Sequence, residues 1–134
     1  PELFYDFQVN RPQMSTREDS TREIVWPTTS IFVARIPLAN RDVIMIRGIE
    51  PNVRWRTFSN ELLTVIEKLQ VTMAIGIGAL LSDTPHTRPI PVTTTSNHPG
   101  FPEEINFLPS TYEGPTGILG VLSEALSAAG IPTD

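Results

Sequence analysis

Apolar and polar positions alternate most clearly in the middle of the chain, where they predict a strand, a helix and a second strand. Residues 42–47 (DVIMIR) form a nearly continuous apolar run, which is typical of a strand buried on both faces. Asn52 offers an N-cap for a helix over residues 52–70, and residues 71–79 (VTMAIGIGA) predict another buried strand. Together they have the pattern of a right-handed crossover unit. The apolar positions at helical spacing are Phe58, Leu62, Val65, Ile66 and Leu69.

The region before this unit predicts shorter extended elements. Residues 3–9 (LFYDFQV) favour a strand, whereas residues 14–22 (MSTREDSTR) are polar and indicate a turn or loop. Residues 23–26 (EIVW) and 30–36 (SIFVARI) are rich in β-branched and aromatic side chains. Because only three residues separate them, we expect the two to pair as a hairpin.

The region after the unit is punctuated by proline. Residues 90–95 predict a short strand, and a helical turn is expected near Glu103. Residues 116–129 predict a helix that ends at Gly130. The leucines expected to face inward on this helix are Leu119, Leu122 and Leu126.

Composition narrows the class of protein. The chain has 134 residues, 40% of them hydrophobic, which predicts one α/β domain over residues 1–134. The net charge of -5 without a basic block argues against nucleic-acid binding, and the longest apolar segment is too short to span a membrane. With no cysteine, the chain has no disulfide, Cys-based zinc site or catalytic thiol, which is typical of a cytoplasmic protein.

The two ends of the chain predict an incomplete sheet. The sequence opens within what reads as an element and stops after Gly130-Ile131-Pro132, the usual prelude to another strand. Two convincing parallel strands are too few to bury both faces of a sheet. We therefore expect strands to be missing at both ends.

Three loops carry the candidate chemistry: residues 48–56, 78–89 and 112–120. The first two follow predicted strands, where ligands bind in open α/β sheets, and the third leads into the last helix. His86 could transfer a proton, and Glu113 or Glu50 could act as a base or hold a sugar hydroxyl. The candidates for binding an anion or another ligand, by guanidinium, hydroxyl or backbone N–H groups, are Arg54, Thr87, Arg88, Gly114, Thr116 and Gly117.

The same residues could instead have purely structural roles in their loops. His86 between prolines could simply hold its loop by hydrogen bonds, and Arg88 could anchor Asp83 or Glu113 instead of a substrate. Pro115 and Thr116 are also ordinary residues at the start of a helix. His98 lies alone in NHPG, so the two histidines do not predict a metal site.

The combined motifs resemble those of the PAC2 family, which is named for a proteasome assembly chaperone. They are GIEP at residues 48–51 with Trp55 and Phe58, then GALLSDTPHTRPIPV from Gly78, and YEGPTGILGVL from Tyr112. The chain looks closest to the actinobacterial members that are labelled uncharacterised or ATP-grasp-type. The resemblance covers nearly the whole chain, and family members usually extend beyond it at both ends.

The resemblance implies a three-layer α/β/α fold with a mixed sheet, similar to that of nucleoside phosphorylases and related hydrolases. It also implies a homo-oligomer, a trimer or a multiple of one, and a proteasome-related partner. It implies no reaction and no cofactor. The leading hypothesis is a non-enzymatic assembly chaperone or adaptor protein. The alternative is an enzyme of the phosphorylase or hydrolase class that binds a nucleoside or phosphate with the PHTRP and EGPTG loops.

A third hypothesis is ATP-dependent ligation, which the labels of some similar proteins suggest. It ranks last because the chain has no glycine-rich phosphate loop followed by a lysine. Lys68, the one lysine of the sequence, lies on the polar side of the predicted helix.

Overall fold

The computed structural model describes residues 2–79, 84–96 and 108–133. The chain divides into two compact units, Pro1–Trp55 and Arg56–Asp134. The fold is mixed α/β, as predicted, with small sheets and two helices in the described residues. The three-layer arrangement stays a prediction.

An antiparallel ribbon forms early in the first unit. Strand β1 (Gln13–Thr16) pairs with β2 (Arg22–Val25), with Met14 opposite Ile24. Asp19 accepts hydrogen bonds from the amide and hydroxyl of Thr21 and so closes the turn between the strands. The prediction of a loop over residues 14–22 was therefore wrong in its first part, because a side-chain-stabilised turn lets this polar segment pair. The predicted strand over residues 3–9 was also wrong, since turns and irregular backbone occupy it.

A long hairpin completes the first unit. Strand β3 (Thr29–Ile36) pairs antiparallel with β4 (Arg41–Gly48) through eight residue pairs. A 3-10 turn, Pro37–Ala39, and the left-handed Asn40 (φ 49°) connect them. So short a link permits only an antiparallel pair. The strands predicted over residues 23–26, 30–36 and 42–47 are confirmed. Their predicted pairing was wrong, because the first pairs with β1 and the other two pair with each other, and the strand over residues 42–47 is antiparallel and largely exposed.

The long helix of the chain was predicted correctly. Helix α1 (Trp55–Lys68) buries Phe58, Ser59, Leu62 and Ile66. Leu69, predicted to face inward, lies beyond the helix and is 42% exposed. Asn52 is not its N-cap, because the Asn52 side chain accepts hydrogen bonds from the Asp6 amide and the Asn10 side chain, at 2.8 and 2.7 Å.

The predicted strand over residues 71–79 is reduced to a single bridge. Ala74 pairs in parallel with Thr133, and its amide donates to the carbonyl of Pro132 at 2.9 Å. Strand β4 pairs with β3 instead of entering a parallel sheet. The prediction of a right-handed crossover over residues 42–79 was therefore wrong, because its two predicted strands each pair with another segment.

The last part of the second unit contains a parallel pair and a helix. Strands β5 (Thr93–Thr94) and β6 (Leu108–Pro109) pair in parallel, which confirms a short strand within residues 90–95. Helix α2 (Ile118–Ala128) ends where expected, since Gly130 has the left-handed φ of 76° that stops a helix. Leu126 is buried, but Leu119 is 45% exposed, so its inward placement was wrong. The turn predicted near Glu103 lies outside the described residues.

Candidate functional site

The PHTRP segment is a tight turn. The amide of Arg88 donates to the carbonyl of Pro85 at 2.9 Å, which places His86 and Thr87 at the two central positions. The side chains of His86, Thr87 and Arg88 are exposed. The ion pairs of the described residues do not include Arg88, and Asp83 lies outside those residues. The turn thus presents an imidazole and a guanidinium to solvent.

The YEGPTG segment folds back on its tyrosine. The Tyr112 hydroxyl donates to the carbonyl of Pro115 at 3.0 Å. A Cβ atom at Gly114 would stand 2.7 Å from that hydroxyl, so the loop requires glycine there. The side chain of Glu113, between Tyr112 and Gly114, is exposed to solvent. The tyrosine was noticed in the sequence only as part of a family motif, and its loop-closing hydrogen bond was missed.

Helix α2 begins without a side-chain cap. Gly117 is the N-cap residue in extended conformation, and as a glycine it has no side chain that could accept from the first-turn amides. The Thr116 hydroxyl instead lies over Gly120, where a Cβ atom would collide with it. The start of a helix favours an anion, and binding of one through Gly117 and its neighbours stays a prediction.

The GIEP segment has a structural role in the first unit. Pro51 is fully buried. The hydroxyl of Tyr5 forms a 2.6 Å hydrogen bond with the Thr29 hydroxyl and a longer one with the Ile49 carbonyl. These part-buried contacts hold the base of the β3–β4 hairpin. Arg54 follows with a left-handed φ of 58° and an exposed side chain.

The candidate residues fall in different parts of the chain. Arg54 belongs to the first unit, whereas the other candidates, from His86 to Gly117, belong to the second. Among the described residues, no hydrogen bond or ion pair joins the Pro85–Arg88 turn to the Tyr112–Pro115 loop. Convergence of His86 and Glu113 on one pocket therefore stays a prediction.

A small polar cavity of the second unit was missed by the sequence analysis. It has a volume of about 250 Å³ and is lined by Thr95, Ser96, Ser123, Glu124, Ser127 and Thr133. The hydroxyls of Ser123 and Thr133 are 3.3 Å apart. None of the predicted site residues lines it. Its lining comes from residues 95–96 and from residues 123–133, which are far apart in the sequence, so no local motif indicated it.

The β3–β4 hairpin, residues 29–48, which we call the hairpin arm, exposes apolar side chains on both of its faces. Phe32 and Met45 are cross-strand neighbours and are 52% and 58% exposed, while Val33 on the opposite face is 62% exposed. The other large apolar side chains exposed on the strands are Ile31, Ile36, Val43 and Ile46. Exposed apolar side chains in this number are suited to association with another surface.

A second apolar surface lies on the β1–β2 ribbon. Alternation along the strands brings Pro12, Met14, Ile24 and Trp26 to one face. The rings of Phe7 and Trp26 are 4.9 Å apart, centre to centre. The open cavity over this face has a volume of about 420 Å³, and we call it the ribbon groove; its lining residues are Phe7, Gln8, Arg11, Pro12, Met14, Ile24 and Trp26.

Other kinds of site find little support in the described residues. That part of the chain holds no cluster of three His, Asp or Glu side chains suited to a metal ion. It also holds no helix long and apolar enough to cross a membrane. Asp19 has a pKa below its usual value because the Thr21 hydroxyl and amide donate to its carboxylate, but this group serves the β1–β2 turn.

Comparison with known proteins gives a family and several similar structures. The model of the PAC2 family matches residues 1–133. A PAC2 family protein of Streptomyces avermitilis is 47% identical with a TM-score of 0.87, and the match covers 98% of this chain and 56% of that one. A proteasome-assembly chaperone homologue of Mycobacterium tuberculosis is also 47% identical, with a TM-score of 0.86 and coverage of 99% and 56%. No curated protein matches the chain.

A more distant match has the same fold. A Mycobacterium tuberculosis protein of unknown function is 27% identical with a TM-score of 0.79, and the match covers 98% of this chain and 46% of that protein. The chain therefore spans about half the length of the solved structures that it resembles. Its similarity to them extends over both compact units.

Proposed function

Because this chain belongs to the PAC2 family, we propose that it is a homo-oligomeric, non-enzymatic chaperone or adaptor that assists proteasome assembly in the cytoplasm. The similarity to a proteasome-assembly chaperone homologue supports the choice of partner. The observation that carries the proposal is the hairpin arm, because it exposes apolar side chains on both faces.

Exposed apolar area on the arm favours association with protein. A two-stranded hairpin cannot bury both of its faces within itself and is marginally stable alone. Burying an exposed apolar side chain contributes roughly 1.5–3 kcal/mol when it is complete. Several half-exposed side chains of the arm could therefore drive binding to another subunit.

The experiment is an assembly assay with purified α and β subunits of a bacterial proteasome. We expect the protein to increase the rate at which assembled core particles appear on native gels. A double variant, Phe32→Ser with Met45→Ser, should lose this effect because it removes the exposed cross-strand pair. Ile77→Ser is the matched control, since Ile77 is 86% exposed outside the arm and its replacement should leave the rate unchanged.

Two results would contradict the proposal. One is that the unmodified protein neither changes the rate of assembly nor binds either proteasome subunit. The other is that Ile77→Ser reduces the effect as much as the arm variant does. The second result would mean that any loss of exposed apolar area matters, and that the arm has no special part.

The second candidate function is binding or turnover of a small anionic compound, such as a nucleoside phosphate. The observation that favours it is the exposed guanidinium of Arg88, which has no ion pair in the described part of the chain, together with the exposed glycine, Gly117, at the start of helix α2. On this proposal Arg88, Thr87 and the loop at Gly114 hold the anion. His86 and Glu113 would then serve proton transfer.

A further inference from the structure

Strand β4 of the hairpin arm has an open outer edge, on the side away from β3, which we call the β4 edge. In the part of the chain that the structure describes, β4 (Arg41–Gly48) pairs with β3 alone. Alternate residues of an edge strand turn their N–H and C=O groups outward. A strand of eight residues is long enough to pair with a further strand. The β4 edge therefore offers a row of hydrogen bonds to an extended segment.

One face of the arm carries positive charge without a counterion. Because side chains alternate along a strand, Arg41, Val43, Met45 and Arg47 lie on the same face, which we call the arginine face. Both arginines are exposed, and neither has an ion pair among the described residues. The arm is described over its whole length, and it has no carboxylate on this face.

The opposite face of the arm is balanced in charge. There Arg35 of β3 lies directly across from Asp42 of β4, and their charged groups are 3.8 Å apart. The arm has three arginines and one aspartate, although the whole chain has a net charge of -5. The excess positive charge of the arm therefore lies on the arginine face.

The spacing of the two arginines defines a pattern for a neighbouring strand. Arg41 and Arg47 are six residues apart on one strand, a separation of about 20 Å. Between them on the same face are Val43 and Met45, which are 43% and 58% exposed. Residues directly across two strands interact most strongly. A strand whose side chains on this face run acidic, apolar, apolar, acidic would therefore match β4 at every position.

A second copy does not supply this pattern through its own β4 edge. Symmetric antiparallel pairing of two β4 edges places the same face of each strand side by side. That face has no carboxylate, because Asp42 lies on the opposite one. Pairing centred on Ile44 would even set Arg41 of one copy opposite Arg47 of the other, and like charges directly opposite are destabilising. The charge of the edge thus favours a different, acidic chain.

We propose that the β4 edge receives an extended segment of an acidic partner protein, which places one carboxylate opposite Arg41 and another opposite Arg47. Main-chain hydrogen bonds hold the segment, and the two ion pairs select it from other extended chains. The inference rests on the proposed function in that the arm binds another protein. It adds which edge of the arm takes part and the charge pattern of the bound segment.

Fluorescence anisotropy with synthetic peptides and the unmodified chain tests the charge pattern. The probe is a labelled peptide that contains Glu-Thr-Val-Thr-Val-Thr-Glu, and the matched control has glutamine in place of both glutamates. We expect the glutamate peptide to bind about tenfold more tightly, because only it forms the two cross-strand ion pairs.

N-methylated peptides test the main-chain hydrogen bonds. Two versions of the glutamate peptide carry N-methyl groups, each on one of the two alternating sets of residues. Because only one set of N–H groups faces the β4 edge, one version should lose binding and the other should retain it. Hydrogen exchange should slow at alternate amides of β4 when the unmodified peptide binds.

Exchanging the charges tests the two arginines themselves. A chain with Arg41→Glu and Arg47→Glu should lose the glutamate peptide and bind a peptide with lysine in both glutamate positions. Recovery of this kind also shows that the variant is folded. The matched control is Arg22→Glu with Arg56→Glu, which changes the net charge equally at two exposed arginines outside the arm and should still prefer the glutamate peptide.

The outcomes separate this inference from the proposed function. Absence of binding, equal binding of the glutamate and glutamine peptides, or equal binding of both N-methylated versions would overturn the pairing at the β4 edge. The proposed function would survive that result if Phe32 and Met45 were still required for faster proteasome assembly. Selective peptide binding without any effect on proteasome assembly would instead support the edge and contradict the proposed function.

Discussion

Gly48 faces Thr29 across the base of the hairpin arm so closely that a Cβ atom at position 48 would stand 2.6 Å from the Thr29 hydroxyl oxygen. That hydroxyl cannot simply turn away, because it forms a 2.6 Å hydrogen bond with Tyr5. The glycine of the GIEP motif is thus required by close packing. Gly48, the first residue of the GIEP motif, therefore allows the two strands to pack at the base of the hairpin arm.

Replacing Gly48 with alanine should lower the free energy of unfolding by about 1–3 kcal/mol, because the methyl group overpacks the contact with Thr29. Urea denaturation measures the change. In a Thr29→Ala background the cost of the same replacement should be smaller, since the hydroxyl is gone. An equal cost in both backgrounds would show that the Thr29 hydroxyl is not the obstacle.

The Asn52 side chain should hold the N-terminal segment in place. Its oxygen accepts from the Asp6 amide and the Asn10 side chain. Asn52→Ala should therefore cost about 1 kcal/mol and speed hydrogen exchange at the Asp6 amide. Asn60→Ala is the control, because Asn60 is exposed on helix α1 and only its backbone carbonyl accepts a bond, from Thr64. Unchanged exchange at Asp6 would contradict the assignment.

The pKa of Asp19 should lie below its usual value, because the Thr21 hydroxyl and amide donate to its ionised carboxylate. A depressed pKa in the folded state means that this turn adds stability above the unfolded pKa and loses it as the pH falls through the folded value. Thr21→Val should raise the pKa towards normal, as measured by NMR titration of the Asp19 side chain. An unchanged value in the variant would show that the hydroxyl is not the cause.

An anion site at the PHTRP and EGPTG loops should reveal itself in a thermal-shift assay. If the site exists, phosphate or a nucleotide raises the melting temperature of the protein, because a ligand stabilises the state that it binds. Arg88→Ala should abolish the shift, and Arg22→Ala, an exposed arginine of the ribbon, should retain it. A shift that survives in Arg88→Ala would remove this residue from the site, and no shift with any ligand would favour the adaptor.

Local patterns predicted the helices better than the strands. The spacing of Phe58, Leu62 and Ile66 indicated α1, and Gly130 indicated the end of α2, because both signals lie within one helix. Strand pairing depends on turns, and the left-handed Asn40 was not recognised as the end of a hairpin link. An apolar run such as residues 42–47 was then interpreted as buried, although the hairpin exposes much of it.

At the candidate site, too, local features were predicted and contacts that depend on chain direction or strand pairing were missed. Proline indicated a rigid turn around His86, and the Pro85–Arg88 hydrogen bond confirms a turn there. Sequence could not show that Tyr112 closes its own loop on Pro115, because the contact depends on backbone direction. The ribbon groove was missed because it depends on the β1–β2 pairing, which places Met14 opposite Ile24 and was not predicted.

Sedimentation velocity over a range of concentrations, with the unmodified chain beside the Phe32→Ser, Met45→Ser variant, tests whether the hairpin arm joins copies of this protein. We expect a defined oligomer for the unmodified chain and a smaller species for the variant, because the exposed pair belongs to the hairpin arm. A folded chain that sediments as a monomer at every concentration, with or without the two replacements, would contradict it.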